Sequence, residues 1–153
     1  MQTLYDYLWS HDIVMSTDSG KEISRPIGGI YTHTGIILGN HRWNRNVMVF
    51  HNDTAGPEIV SLERFSAGYE SRYTNRPAHD PETVLLRCFQ QLDRPKNYDL
   101  VNYNCQHAAS YSRTGIPSSH GVQNTLGLLL AGLFVAWLNS ADADDNSQRR
   151  NRG

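Results

Sequence analysis

The sequence predicts an α+β domain in which an antiparallel sheet packs against helices, and three observations support this fold class. Between residues 10 and 65, short runs of β-branched and aromatic residues alternate with turn residues, a pattern typical of consecutive antiparallel strands. Two later segments, beginning near residues 80 and 104, open with residues that favour helix N-termini. An apolar run at residues 126–138 is long enough for a C-terminal helix.

The strand prediction rests on runs that end at recognisable turn signals. The clearest run, Ile30 to Leu38, is followed by the turn signal Gly39-Asn40. The next run, Val47 to His51, is followed by Asn52-Asp53. The segment from Pro26 to Gly29 is predicted to be a break between strands. The other predicted strands are Asp12 to Val14, Val47 to His51 and Glu58 to Leu62.

The segment after residue 79 predicts an amphipathic helix. Asp80 is a favourable N-cap, Pro81 fits the first turn, and Pro95 stops the helix. Apolar residues then recur at helical spacing, namely Val84, Leu85, Cys88, Phe89 and Leu92. Because Cys88 lies on this apolar stripe, we interpret it as a core residue rather than a reactive thiol.

Composition narrows the class of protein. The chain has 153 residues, the size of one domain, and a net charge of -1, which predicts no nucleic-acid partner. The two cysteines indicate a reducing compartment. The N-terminal residues lack the pattern of a secretory signal. These features predict a cytoplasmic protein.

Cys105 is the candidate nucleophile. Asn104 is a favourable N-cap, so a helix is predicted to begin at Cys105 and to end near Gly115. The N-terminus of a helix favours the thiolate, which is the reactive form of cysteine, and its free N–H groups can stabilise an oxyanion. The alternative is that Cys105 is a small buried hydrophobic residue.

Two histidines are candidates for the base that a nucleophilic cysteine needs. His33 lies inside the clearest predicted strand, where alternation places it on one face with Tyr31, Gly35 and Ile37. His51 ends the next predicted strand. A histidine in such a position, taken alone, is more often structural or on the surface. His107 follows Cys105 by two residues, a helical spacing that directs the two side chains apart.

Three segments together resemble the lecithin retinol acyltransferase-like family. They are "YTHTGIILG" around His33, "VMVFH" ending at His51, and "YNCQHAASYSRTG" around Cys105. The family is similar to circularly permuted papain-type thiol enzymes and is related to NlpC-type peptidases. The resemblance covers residues 10–117. Gln106 and Ala108 stand where the family has glutamate and phenylalanine, a difference that concerns substrate preference and packing.

The resemblance implies a permuted papain-like (NlpC-like) fold and a role for each matched residue. Cys105 would be the nucleophile, and His33 would accept its proton and later return it to the leaving group. His51 would orient His33, as the third member of other triads does. Tyr31 and Asn104 would help to position the substrate or its oxyanion. No metal or cofactor is implied.

The implied reaction is acyl transfer through a thioester, acting on lipid acyl esters as a phospholipase or acyltransferase. A peptidase or amidase acting on peptide or cell-wall bonds is the first alternative. A non-catalytic member that binds a lipid or a protein is the second. An acyl-ester lipid is therefore the expected substrate.

The apolar run leads to a prediction of membrane contact through residues 122–138. As a helix, residues 126–138 would span about 20 Å, which is short of the roughly 30 Å hydrocarbon core of a bilayer. Packing in the protein core is the alternative. The predicted organisation is a catalytic domain at residues 1–120, an apolar helix at residues 121–139 and a disordered polar tail at residues 140–153.

Overall fold

The computed structural model describes residues 2–28, 31–74, 79–97, 99 and 104–119. All of them belong to one compact unit, Met1–Ser119. The secondary structure confirms an α+β chain with an antiparallel sheet packed against helices. In order, the elements are α1 (Leu4–Ser10), β1 (Ile13–Val14), β2 (Glu22–Gly28), β3 (Tyr31–His41), β4 (Val47–Asp53), β5 (Gly56–Ser61), α2 (Leu62–Ser66), β6 (Arg72–Tyr73), α3 (Pro81–Asp93) and α4 (Cys105–Thr114).

The sheet of the described chain is built around β3, its longest strand. The strand order is β5-β4-β3-β2-β6, and β1 pairs with the far end of β3. All of the pairings are antiparallel. The predicted strands at Asp12 to Val14, Ile30 to Leu38, Val47 to His51 and Glu58 to Leu62 correspond to β1, β3, β4 and β5, although Ile30 lies outside the described residues.

The predicted break from Pro26 to Gly29 is wrong for its first residues, because β2 continues to Gly28. Pro26 pairs with Thr32 of β3, whereas β6 pairs with β2 only at Ile23 and Ser24. On the side away from β3, Pro26 therefore has no strand partner among the described residues that would need its missing N–H. The register shift between Pro26 and Gly28 is the only sign of the expected break in this described strand.

The two faces of the sheet carry separate apolar clusters. Alternation along β3 places Ile36 on one face and Ile37 on the other. On the first face, Ile36, Leu38 and Phe50 pack with α1, α3 and α4, whose contributions include Leu85, Phe89, Ala108 and Ala109. On the second face, the cluster consists of Ile23, Ile37, Val49, Val60 and Phe65 of α2. Whether a β3 side chain belongs to the first or the second cluster therefore depends only on whether its residue number along the strand is even or odd, as for Ile36 and Ile37.

Both predicted helices of the described region begin at their predicted caps. The Asp80 side chain accepts from the Thr83 N–H, and Pro81 occupies the first turn of α3. Asn104 caps α4, which ends at Gly115 in the left-handed conformation. Cys88 is fully buried in the core, as its position on the apolar stripe predicts.

The predicted apolar helix at residues 121–139 and polar tail at residues 140–153 lie outside the described residues. Among the helices that the structure does describe, none has the length and apolar character needed to cross a membrane.

Candidate active site

His33 and His51 form a buried hydrogen-bonded pair. His51 of β4 lies opposite Gly35 of β3, so its ring reaches across the space above glycine toward His33 on the same face. The His33 Nε2 atom lies 2.8 Å from the His51 Nδ1 atom. Each side chain is only 7% exposed. The structure thus brings together two of the residues that the sequence predicts to share a site.

Glu58 extends this pair into a chain of three residues. It lies directly opposite His51 in the pairing of β4 and β5, and its Oε1 atom is 3.1 Å from His51 Nε2. This distance is that of an ion pair, but the two groups are not aligned as a hydrogen bond, and His51 Nε2 makes no hydrogen bond with any other described residue. Arg64 contacts the other Glu58 oxygen at 3.2 Å. The sequence interpretation missed Glu58.

The position of Glu58 favours one of the two proton arrangements on the rings. A carboxylate only accepts, so the neutral tautomer of His51 that suits Glu58 carries its proton on Nε2. In that tautomer His51 Nδ1 is an acceptor, and His33 Nε2 is the donor across their 2.8 Å contact. The Nδ1 atom of His33 is left with a lone pair. His33 is therefore set up as a base through Nδ1.

Phe65 of α2 holds the two rings in place. Its ring stacks on His33 with a centroid distance of 5.3 Å and contacts His51 edge-on at 5.8 Å. Gly35 makes this packing possible, because a Cβ there would lie 2.7 Å from the Phe50 carbonyl oxygen and 3.0 Å from Phe65. A side chain at residue 35 would therefore displace β4 or the phenylalanine that orients the base.

Burial keeps both histidines neutral. Burial is the largest cause that lowers the pKa of His33 to about 4, and the charges of His51 and Arg25 lower it further. Burial also lowers the pKa of His51, although the carboxylates of Glu58 and Asp53 oppose this effect. At neutral pH the His33 imidazole is thus available to accept a proton.

Cys105 begins α4 behind a reciprocal cap. The Asn104 side chain accepts from the Gln106 N–H at 2.9 Å and from the His107 N–H at 3.2 Å. In return, His107 Nδ1 accepts from the Asn104 N–H at 3.3 Å. His107 is therefore a capping residue rather than a base for Cys105, in agreement with its spacing.

The Cys105 thiol contacts β3 beside His33, not the His33 ring itself. It is 6% exposed and donates to the Thr32 carbonyl oxygen at 3.9 Å. Within the described residues, no hydrogen bond joins the thiol to His33 or His51. Helix α4 packs through Ala108 and Ala109 on the face of Ile36, whereas both histidines contact Phe65. The pairing of Cys105 with His33 stays a prediction.

Side-chain hydrogen bonds connect the start of α4 to β3. The Gln106 side-chain Nε2 donates to the Thr32 hydroxyl at 3.5 Å, and the Ser119 hydroxyl donates to the Gln106 side-chain Oε1 at 2.8 Å. Asn104 donates to Ser119 at 3.4 Å. Gln106 thus holds the start of α4, with Cys105, against the strand that carries His33.

Tyr31, the other predicted positioning residue, is the first residue of β3 and is 52% exposed. Its hydroxyl makes no hydrogen bond within the described chain. The role predicted for Tyr31 stays a prediction.

One group of side chains in the described region could hold a divalent ion. The ligand atoms of His51, Asp53 and Glu58 lie within 4.8 Å of one another. One imidazole and two carboxylates form an acceptable donor set for such an ion. Because His51 and Glu58 also belong to the histidine chain, an ion there would compete with the arrangement described above.

Comparisons with protein-family models and with curated proteins find no match to this chain.

Proposed function

We propose that this protein is a thiol-dependent acyltransferase or hydrolase with a permuted papain-like fold, and that it acts on lipid acyl esters through a thioester on Cys105. The observation that carries the proposal is the buried pair of His33 and His51, with the half-buried Glu58 at its end. This chain lies next to the strand residue that contacts the thiol. A buried imidazole held by a second imidazole and a carboxylate has the arrangement of a general base and its orienting groups.

In the proposed reaction, His33 Nδ1 takes the thiol proton, and the sulfur attacks the carbonyl carbon of the ester. The tetrahedral intermediate collapses as the protonated His33 returns the proton to the leaving alcohol, which leaves the acyl group on sulfur. Water or a second alcohol or amine then loses a proton to His33 and attacks the thioester carbonyl. The C–S bond breaks, the acyl product leaves, and His33 returns the proton to the Cys105 sulfur. His51 and Glu58 stabilise the imidazolium that forms in both halves of the reaction.

The backbone N–H of Cys105 is the best-placed oxyanion donor. The N–H groups of Gln106 and His107 donate to the Asn104 side chain, and that of Ala108 donates to the Asn104 carbonyl. The Cys105 N–H has no acceptor among the described residues, and it lies on the same residue as the sulfur. It can therefore donate to an oxygen that becomes negative during attack. Tyr31 is the proposed second donor.

Proton transfer requires the His33 ring to come within hydrogen-bond distance of the sulfur. In the structure, the thiol donates to Thr32 instead. Catalytic hydrogen bonds are often long or poorly aligned without substrate and tighten when substrate binds. The proposal therefore includes a rearrangement at the start of β3 that turns the thiol from the Thr32 carbonyl to His33.

The lipid substrate is proposed from the family resemblance, and the location from the composition and the apolar run, rather than from the site. Membrane contact through residues 122–138 would bring a cytoplasmic protein to its acyl-ester lipid. The same chemistry would cleave an amide, so a peptidase or amidase differs only in the bond presented to Cys105.

One observation favours a second function, that of a non-catalytic binding protein. A buried thiol that donates to a carbonyl oxygen is in its protonated, unreactive form, as a structural cysteine would be. In that case, the histidine chain would serve stability, and the protein would bind a lipid or protein without transforming it.

An acyl-trapping experiment distinguishes these functions. The protein is incubated with a short-chain p-nitrophenyl ester, with diacyl phospholipid vesicles, or with a peptide amide, and its intact mass and peptide map are recorded. We expect an acyl adduct on Cys105 with the two esters, retained in Cys88→Ala and lost in Cys105→Ala. Release of free amine only from the amide would favour the amidase. No adduct and no product with any substrate would overturn the proposal.

A further inference from the structure

A cavity of about 330 Å³ lies near the start of β3 and has Thr32 in its lining. It shares Thr32 with the candidate active site, because the Thr32 carbonyl oxygen accepts from the Cys105 thiol and the Thr32 hydroxyl accepts from Gln106. A group bound in the cavity would therefore lie against a residue that itself contacts the sulfur. The remaining lining residues are Ser24, Arg25, Pro26, Glu70 and Arg72.

Arg25 is held firmly in the cavity wall without a carboxylate partner. Its Nε atom donates to the Phe65 carbonyl, and Nη1 donates to the Pro26 carbonyl at 3.3 Å. Its guanidinium lies 5.9 Å from the ring centroids of both Phe65 and Tyr69. No ion pair in the described chain involves Arg25. An arginine fixed in this way keeps N–H donors and its charge for an anion.

Arg72 contributes a second guanidinium that is only weakly engaged. It contacts Glu70 at 3.0 Å, and both side chains are 75% exposed. Exposed pairs of this kind contribute little stability, so an anion entering the cavity can replace Glu70 as the partner of Arg72. With two arginines and one glutamate, the lining carries a net positive charge.

The charge of Arg25 also acts on the candidate base. It lowers the pKa of His33 and of His51, and it lies opposite His33 in the pairing of β2 and β3. A positive charge beside a base opposes the uptake of a proton. An anion bound to Arg25 would offset that charge and favour the step in which His33 becomes protonated.

We propose that this cavity binds an anionic oxygen group of the substrate, a phosphate or a carboxylate, with Arg25 as the main ligand and Arg72 as the second. The inference rests on the proposed function of Cys105 and adds the polar group that the substrate carries near its scissile bond.

The binding test uses inorganic phosphate and does not depend on catalysis. Phosphate is titrated into ¹⁵N-labelled protein, and the amide signals of Ser24, Thr32 and Arg72 are followed. We expect saturable shifts in the wild type and in Cys105→Ala, with affinity reduced about tenfold in Arg25→Gln by loss of a charge-assisted contact. Arg42→Gln, at the opposite end of β3, is the matched control and should bind as the wild type does.

The source of the anion is tested with three further ligands: glycerol 3-phosphate, monoacylglycerol 3-phosphate and neutral monoacylglycerol. Equal shifts with every phosphate show that the phosphate alone suffices, and stronger shifts with the lipid show a lipid headgroup. Two results would overturn the anion site. One is that no phosphate ligand shifts the amide signals of Ser24, Thr32 and Arg72 saturably, and the other is that Arg25→Gln binds phosphate with the affinity of the wild type. If Cys105→Ala binds phosphate but the wild type forms no acyl adduct, the site stands and the proposed catalysis fails.

Discussion

His33 Nε2 lies 2.8 Å from His51 Nδ1, and Glu58 lies beyond the far nitrogen of His51. The contact orients one buried imidazole by means of another. It also leaves His33 Nδ1 as the nitrogen that can take a proton, because the carboxylate at the other end of the chain can only accept. Four experiments on individual residues test parts of this arrangement and of the fold that holds it.

The first prediction concerns acid stability. Burial lowers the pKa of folded His33 from 6.5 to about 4, so below pH 6.5 the unfolded chain binds more protons than the folded one. The free energy of unfolding should not depend on His33 above pH 6.5. It should fall by an amount on the order of 3 kcal/mol between pH 6.5 and 4 and stay constant below that range. Urea unfolding at several pH values measures this loss.

His33→Gln should lose less stability than the wild type over the same pH range. His11→Gln, which alters an exposed histidine, should keep the full dependence. An identical slope in His33→Gln and in the wild type would show that His33 is not buried as described.

The second prediction concerns Glu58. Its carboxylate raises the pKa of His51, so Glu58→Gln should lower that pKa further, as followed by NMR titration of the ring Cε1 proton. By analogy with the partners that orient metal-binding histidines, whose loss typically costs about 10–100-fold, acyl transfer should fall by about that factor. Glu63→Gln, in the first turn of α2, is the control. An unchanged His51 titration in Glu58→Gln would rule out this contact.

The third prediction concerns the cap of α4. Asn104→Ala removes the acceptor for two backbone N–H groups and should destabilise the fold by about 1 kcal/mol. Asn104→Ser keeps a capping oxygen and should recover most of this loss. The free energies of unfolding of the two variants, measured in urea, make the comparison. If Asn104→Ala and Asn104→Ser have the same free energy of unfolding, the Asn104 side chain does not cap α4.

The fourth prediction concerns the ion pair between Glu22 and Arg113. The two side chains lie 2.6 Å apart and are 1% and 6% exposed, and they link β2 to α4. Glu22→Gln leaves a buried guanidinium without its carboxylate and should cost about 3 kcal/mol. Adding Arg113→Met removes the stranded charge, so the double variant should unfold at higher urea than Glu22→Gln. A double variant less stable than the single one would contradict this explanation.

The sequence predicts the elements whose signals are local. Strand β3 has a long β-branched run and a glycine turn, and α3 and α4 have side-chain caps at Asp80 and Asn104. Helix α1 went unpredicted because it is short and is stabilised by tertiary contacts of Leu4, Tyr7 and Leu8 with the core.

The sequence predicts the histidines of the site but not their partners. Glu58 is opposite His51 only because the turn between β4 and β5 sets that register, and a single sequence does not show which register forms. Arg25 likewise reaches the site through the pairing of β2 with β3. The sequence instead predicts a break from Pro26 to Gly29, where β2 in fact continues to Gly28.

The proposed function depends on the claim that His33 activates the Cys105 thiol, and the rate of Cys105 alkylation by iodoacetamide measures this activation. Peptide mass spectrometry at neutral pH reports the Cys105 rate, with Cys88 as an internal reference, because burial raises the pKa of Cys88 to about 12. If His33 activates the thiol, His33→Gln should slow alkylation of Cys105 about tenfold or more, and His11→Gln should not. An equal Cys105 rate in the wild type and in a folded His33→Gln variant would contradict the claim.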